Sequence, residues 1–205
     1  MIIINKILSA TLQIILFSLI PLLVFYISRK KFKGFFTYIG LKTPEKKSIK
    51  FSLLIAFLSF SISFIIYYGF NLIDFLQSPG TVSGEIREMG FGITAIFVIL
   101  IDSIIITGLS EEILFRGFIG KRLYPVIGYI SGNIIQAAIF GLIHGVLFYN
   151  LVGLTAVIAV TITTGMIGFF LGYLNEILGN GSILPGWIAH SIINIMAFSF
   201  LAFIV

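Results

Sequence analysis

The chain has 205 residues, 59% of them hydrophobic and only 10% charged. Soluble domains carry about 25% charged residues, so a water-solvated globule is excluded, and the absence of cysteine excludes disulfides and thiolate catalysis. The net charge of +5 does not indicate nucleic acid as a partner, because Arg29 to Lys50 carry eight Lys/Arg against Glu45 alone, +7 in one loop, the signature of a cytoplasmic loop beside anionic lipid.

Alternating barrel patterning is absent, and long uncharged runs of about 20 residues are the length of a helical span. The sequence therefore predicts an all-α fold, a polytopic membrane helical bundle of about six transmembrane helices. The first span runs from Ile7 to Ser28. It exceeds the 7–15-residue apolar core of a signal peptide, no small-residue cleavage site follows, and it is read as a retained anchor. Phe51 to Phe70 forms the second. Residues 71–90 make a more polar connection with Asp74, Glu85, Arg87 and Glu88, −2 in sum, which suits the outer side.

A third segment is predicted from Phe91 to Arg122, roughly 48 Å at 1.5 Å per residue, long enough to tilt or project. Irregular backbone is expected from Tyr124 to Ile130. The fourth span ends near Phe148. The fifth covers Val152 to Leu174, where Gly153, Gly165, Gly168 and Gly172 allow close helix contacts. Residues 175–186 read as a Gly/Asn-rich loop with Pro185 opening the next helix, and Trp187 to Val205 is the last span. With the basic loop inside, both termini lie outside and Lys121 and Arg122 fall on the cytoplasmic side. Trp187 reads as an interfacial anchor.

Within the third segment lies Leu-Ser-Glu-Glu-Ile-Leu-Phe-Arg-Gly-Phe, residues 109–118. A charge at the centre of a membrane costs on the order of 2.5–3.5 kcal/mol even on the lenient insertion scale. On an α-helix Glu112 and Arg116 stand at i and i+4 and can neutralise one another, while Glu111 points about 100° away and faces something else. Both histidines of the chain also lie in apolar spans. Phe140 and His144 share one helical face, and so do His190 and Asn194, whose imidazole and amide project into one cavity.

A carboxylate and a neutral imidazole can hold and deprotonate water, and a second imidazole with an amide can donate to an oxyanion. Those are the parts of a peptide or amide hydrolase without a covalent nucleophile. Glu111, His144 and His190 also match a two-His, one-carboxylate zinc set with an open water position, although the helical His-Glu-x-x-His motif is absent. Possible Zn and a metal-free glutamate route therefore both stay open. Asp102, nine residues before Glu111, sits near the opposite face as a helix-packing hydrogen bonder or the lining of an outer cavity. Asn133 and Gln136 are read as facing other helices.

Glu-Glu-x-x-x-Arg at 111–116, Phe-x-x-x-His at 140–144 and His-x-x-x-Asn at 190–194, in this order on three spans, resemble the CAAX-prenyl-protease and bacteriocin-processing family of intramembrane proteases, also called CPBP or Abi. The resemblance covers residues 91–205, which it implies are the catalytic helical core, with residues 1–90 as two N-terminal spans joined by the basic cytoplasmic loop. It implies a peptide bond hydrolysed by water that Glu111 and His144 activate, with His190 and Asn194 at the oxyanion. Glu112, Arg116 and Phe140 would support the site. The implied partners are the lipid bilayer and a membrane-associated peptide or protein substrate. Six spans are fewer than in the eukaryote-type prenyl-protein proteases, so a bacterial substrate at the cytoplasmic membrane is expected rather than a prenylated one, in a site opening to the cytoplasm. Non-hydrolytic alternatives are a bacteriocin immunity or scaffold protein of the same fold, and a proton-coupled transporter, against which the lack of inverted repeats counts.

Overall fold

The computed structural model describes residues 1–149 and 152–205. Among them there is no β-strand, and six helices are long and apolar enough to cross a membrane. The chain is an all-α integral membrane protein. Its elements are α1 (Ile2–Arg29), the short α2 (Phe35–Tyr38), α3 (Lys46–Gly69), the short α4 (Ile73–Leu76), α5 (Val82–Met89), α6 (Ile93–Ile127), α7 (Tyr129–Phe148), α8 (Leu154–Leu178) and α9 (Leu184–Phe203). The spans are α1, α3, α6, α7, α8 and α9.

Helix α1 is peripheral: only Ala10, Pro21 and Phe25 are buried, while Leu12, Leu16, Leu19 and Leu23 point outward, where acyl chains replace water. It is tied to α6 by polar contacts, with Gln13 Nε2 donating to the Ile106 carbonyl at 2.9 Å. Helix α3 buries Ser48, Ser52, Ala56, Ser59 and Ser63, a stripe of small side chains that lets the backbone of α9 approach closely. Ser52 Oγ donates to the Pro185 carbonyl at 2.9 Å. Helices α7 and α8 pack along most of their lengths, and a Cβ at Gly141 would collide with the Thr161 carbonyl.

The long α6 is not regularly wound. It passes into π-helical turns at Ile101–Leu109 and again at Glu112–Gly120, so its carbonyls bond five residues on and the side-chain phase departs from 100° per residue. Gly108 permits this beside α9, since a Cβ there would stand 2.5 Å from the Ser103 carbonyl and 2.8 Å from Ser191 Oγ. The irregularity expected over Tyr124–Ile130 is confined to one residue: α6 continues through Pro125 to Ile127, Gly128 turns with φ +82°, and α7 begins at Tyr129.

Two further expectations are corrected. Residues 175–178 belong to α8, which ends in a π-helical turn, so only 179–183 form the connection to α9. Gly153 has no neighbour within 4 Å of a built Cβ, whereas Gly168 and Gly172 do lie at tight contacts. The Trp187 indole donates to the Ile104 carbonyl of the π-helical stretch of α6 at 2.6 Å. Asn133 and Gln136 behave as expected, being buried and donating to the Phe169 and Gly168 carbonyls of α8 at 3.0 Å each.

Candidate active site

The site is built around the second π-helical stretch of α6. Glu112 is fully buried and Arg116 is 2% exposed. Arg116 Nη1 lies 3.1 Å from Glu112 Oε1, the i,i+4 pair foreseen from the spacing. The contact is ionic rather than a well-aligned hydrogen bond, because no guanidinium N–H has an aligned acceptor. The guanidinium carbon instead lies 4.3 Å over the Phe140 ring, a cation–π contact strengthened by the apolar surroundings. Gly168 makes the space, since a Cβ there would sit 3.1 Å from Phe140 Cδ1 and 3.3 Å from Arg116 Nη2.

Glu112 is also held by α8 and α9. Asn175 Nδ2 donates to its Oε2 at 2.8 Å, and Asn175 Oδ1 accepts the Gly186 N–H at 2.6 Å. His190 Nδ1 lies 3.3 Å from Glu112 Oε1; a carboxylate only accepts, so this nitrogen carries a proton. The other ring nitrogen, Nε2, faces Glu111 Oε2 at 3.8 Å, longer than a hydrogen bond. That Glu111 oxygen is buried and has no hydrogen-bond partner among the described residues. The two adjacent carboxylates are thus differently employed: Glu112 is fully engaged, and Glu111 is not.

On α7, His144 Nδ1 donates to the Phe140 carbonyl at 2.8 Å. A carbonyl cannot donate, so Nδ1 carries a proton, and Nε2 is the ring atom left to face the cavity. Phe140 packs against both imidazoles, with ring centroids 4.4 Å from His144 and 6.1 Å from His190. One turn beyond His190, Asn194 Nδ2 donates to Thr107 Oγ1 at 2.7 Å, and Thr107 Oγ1 donates to the Asp102 carbonyl at 2.8 Å. The second N–H of the Asn194 amide has no partner among the described residues.

Glu111, Phe140, His144, His190 and Asn194 line one cavity of about 310 Å³. The remainder of its wall is chiefly apolar, including Phe60, Phe64, Tyr67, Phe148 and Phe198, so part of it comes from α3, outside the last four spans. The cavity extends toward α4 and α5, where Leu76 and Val82 cap it. At its opposite end the basic-loop side is closed. Ile183 N–H donates to the Gly40 carbonyl at 2.9 Å, Ser182 Oγ to the Lys42 carbonyl at 2.5 Å, and Gly117 packs against Ile39 with no room for a Cβ. The residues that line the cavity lie toward the end of the bundle away from the basic loop.

The residues do not fit the zinc set left open above. Among the described residues no group of three His, Cys, Asp or Glu is gathered closely enough to hold one ion. No step is derived through a metal. What the arrangement can do is hold a small polar reactant between an unpartnered carboxylate and two imidazoles, beside an apolar chain.

Asn175 and Thr107 contact the candidate site residues Glu112 and Asn194 and were not revealed by the motifs. Thr107 carried a weak signal, being four residues before Glu111. The signal for Asn175 was a lone amide ending an apolar helix, concealed by reading 175–186 as a loop.

Residues 92–196 match the family model described as type II CAAX prenyl endopeptidase Rce1-like, just over half of the chain and inclusive of Glu111, Glu112, Arg116, Phe140, His144, His190 and Asn194. No curated protein and no solved structure matches the chain. On the family match and six membrane-spanning helices, the chain belongs to the Rce1-like family of type II CAAX prenyl endopeptidases, intramembrane proteases.

Proposed function

We propose that this chain hydrolyses a peptide bond of a membrane-associated protein or peptide by direct attack of water, without a covalent enzyme intermediate. The observation that carries this reading is Glu111, a carboxylate with an unpartnered oxygen on an apolar cavity beside two imidazoles. Glu111 takes a proton from the attacking water, and His144 Nε2 accepts the other water hydrogen and orients it. The water oxygen bonds to the scissile carbonyl carbon. The resulting oxyanion accepts from the free N–H of Asn194 and from the Nε2–H of His190, which enters and leaves the cycle as the imidazolium with Glu112 accepting from Nδ1. Collapse breaks the C–N bond, and the proton held by Glu111 passes to the leaving nitrogen.

Glu112, Arg116 and Phe140 act through position. They hold His190 and the π-helical turn of α6 so that Glu111 stays on the cavity. The aromatic wall favours an apolar stretch of substrate, which a lipid-embedded or lipid-attached segment supplies.

Purified protein in detergent with an apolar fluorogenic peptide provides the test. Wild type should cleave it, and Glu111→Gln and His144→Ala should release no product. Asn194→Ala should lower kcat by about 10²–10³-fold with little change in KM, the loss typical of one oxyanion donor. Wild-type turnover by Glu111→Gln would remove Glu111 from the role of base.

A further inference from the structure

A second cavity, of about 740 Å³, lies between the first turns of α1, helix α5 and the outer half of α6. Its wall includes Lys6, Glu85, Glu88 and Asp102, three carboxylates against one ammonium. Lys6 Nζ bridges two of them, 2.9 Å from Asp102 Oδ2 and 3.2 Å from Glu85 Oε2. Asp102 is 2% exposed, yet its Oδ1 has no hydrogen-bond partner. A buried carboxylate oxygen left without a donor is costly, and Lys6 satisfies only the other oxygen. Glu88 is exposed on this cavity and has no ion-pair partner among the described residues. Lys6 leaves the three carboxylates at −2, and one further cation would bring them to −1.

The position of this cavity says where such a cation comes from. Val82 and Thr107 line both cavities, so the acidic one adjoins the site that holds Glu111. Asp102 precedes Glu111 by nine residues on α6, at most roughly 14 Å at the α-helical 1.5 Å per residue and less through the π-helical turns between them, a distance covered by about four residues or fewer of extended peptide. A chain leaving the catalytic cavity past Thr107 carries its fourth residue to Asp102.

We infer that the acidic cavity is a subsite for a basic side chain of the substrate, a lysine ammonium or arginine guanidinium about four residues from the scissile bond. This rests on the hydrolase reading only for the position of that bond; cation binding itself does not need turnover. Asp102 and Glu88 are the carboxylates that receive it, while Glu85 keeps Lys6.

The test walks a single lysine along both sides of a neutral apolar peptide whose cleavage position is mapped with wild type. Binding is read by fluorescence anisotropy on the Glu111→Gln protein in detergent, and cleavage on wild type. The expected result is a maximum in affinity about four residues from the bond, about tenfold above the peptide with glutamine there, and lost in Glu88→Lys, a surface change that leaves the Lys6–Asp102 pair intact. Affinity independent of lysine position overturns the subsite. If wild type cleaves none of the peptides, a binding optimum at one lysine position still leaves the cation subsite standing and removes the hydrolase. Repeating the binding in phosphatidylcholine nanodiscs with and without phosphatidylethanolamine separates the remaining source: a lysine optimum abolished by the aminolipid assigns the cavity to a headgroup and overturns the substrate assignment.

Discussion

Asn175 and Glu112 are joined across the bundle by a 2.8 Å hydrogen bond, and the same amide accepts the Gly186 N–H at 2.6 Å. One side chain at the end of α8 thereby fixes the buried carboxylate of α6 to the first turn of α9. Replacing Asn175 with alanine leaves two buried polar groups unpaired, at about 1–3 kcal/mol each. Asn175→Ala should lower the unfolding midpoint in detergent and weaken hydrolysis. Asn175→Asp, which sets a second carboxylate against Glu112, should be worse than alanine. Equal melting of wild type and both variants would show that the amide positions nothing.

The Glu112–Arg116 pair yields a different expectation. Removing one member strands the other charge in an apolar interior, typically at 3–5 kcal/mol. Glu112→Ala and Arg116→Ala should both reduce folded yield in size-exclusion profiles, whereas Glu111→Gln should not. Arg116→Lys should fail to restore the wild-type melting point, because a lysine cannot reproduce the planar guanidinium over Phe140. Full rescue by lysine would reduce the arginine to a simple counter-charge.

How much of this was legible in the sequence follows from helical period. The Glu112–Arg116 pairing, the shared faces of Phe140 with His144 and of His190 with Asn194, and the six spans all follow from 3.6-residue winding and apolar run length. The π-helical turns at Ile101–Leu109 and Glu112–Gly120 do not follow from it, since nothing in the composition of a short apolar stretch marks i→i+5 bonding. The disruption was therefore expected around Tyr124–Ile130, where Pro125 and Gly128 stand, although α6 accommodates the proline. Asn175 was missed for a related reason: Asn and Gly imply a loop, but burial of the amide against Glu112 retains Asn175 in the helix. The contribution of α3 to the cavity wall was illegible because tertiary packing, not local pattern, brings Phe60 and Phe64 there.

Chelation separates the glutamate route from a zinc route. The side chains do not gather as a three-ligand set, so hydrolysis should persist after dialysis against EDTA or 1,10-phenanthroline. Loss of activity with recovery on adding zinc would restore Glu111, His144 and His190 as ligands.

The absence of cysteine makes the topology directly measurable. Single variants Lys47→Cys and Glu88→Cys should label from opposite sides in intact cells, with position 47 protected from an impermeant maleimide, as charge bias requires. That result places the α4–α5 end of the cavity on the outer face. Labelling of position 47 and protection of position 88 would reverse the basic loop and turn the cavity to the cytoplasm.

The most direct test of the account is a comparison of new peptide ends, by mass spectrometry, in membranes from cells expressing wild type or equally abundant, folded Glu111→Gln. The account predicts a set of ends present only with wild type, which purified protein reproduces on synthetic peptides. Identical peptide ends in both membranes, with a peptide that wild type cleaves in vitro present in each, would contradict a hydrolase that depends on Glu111.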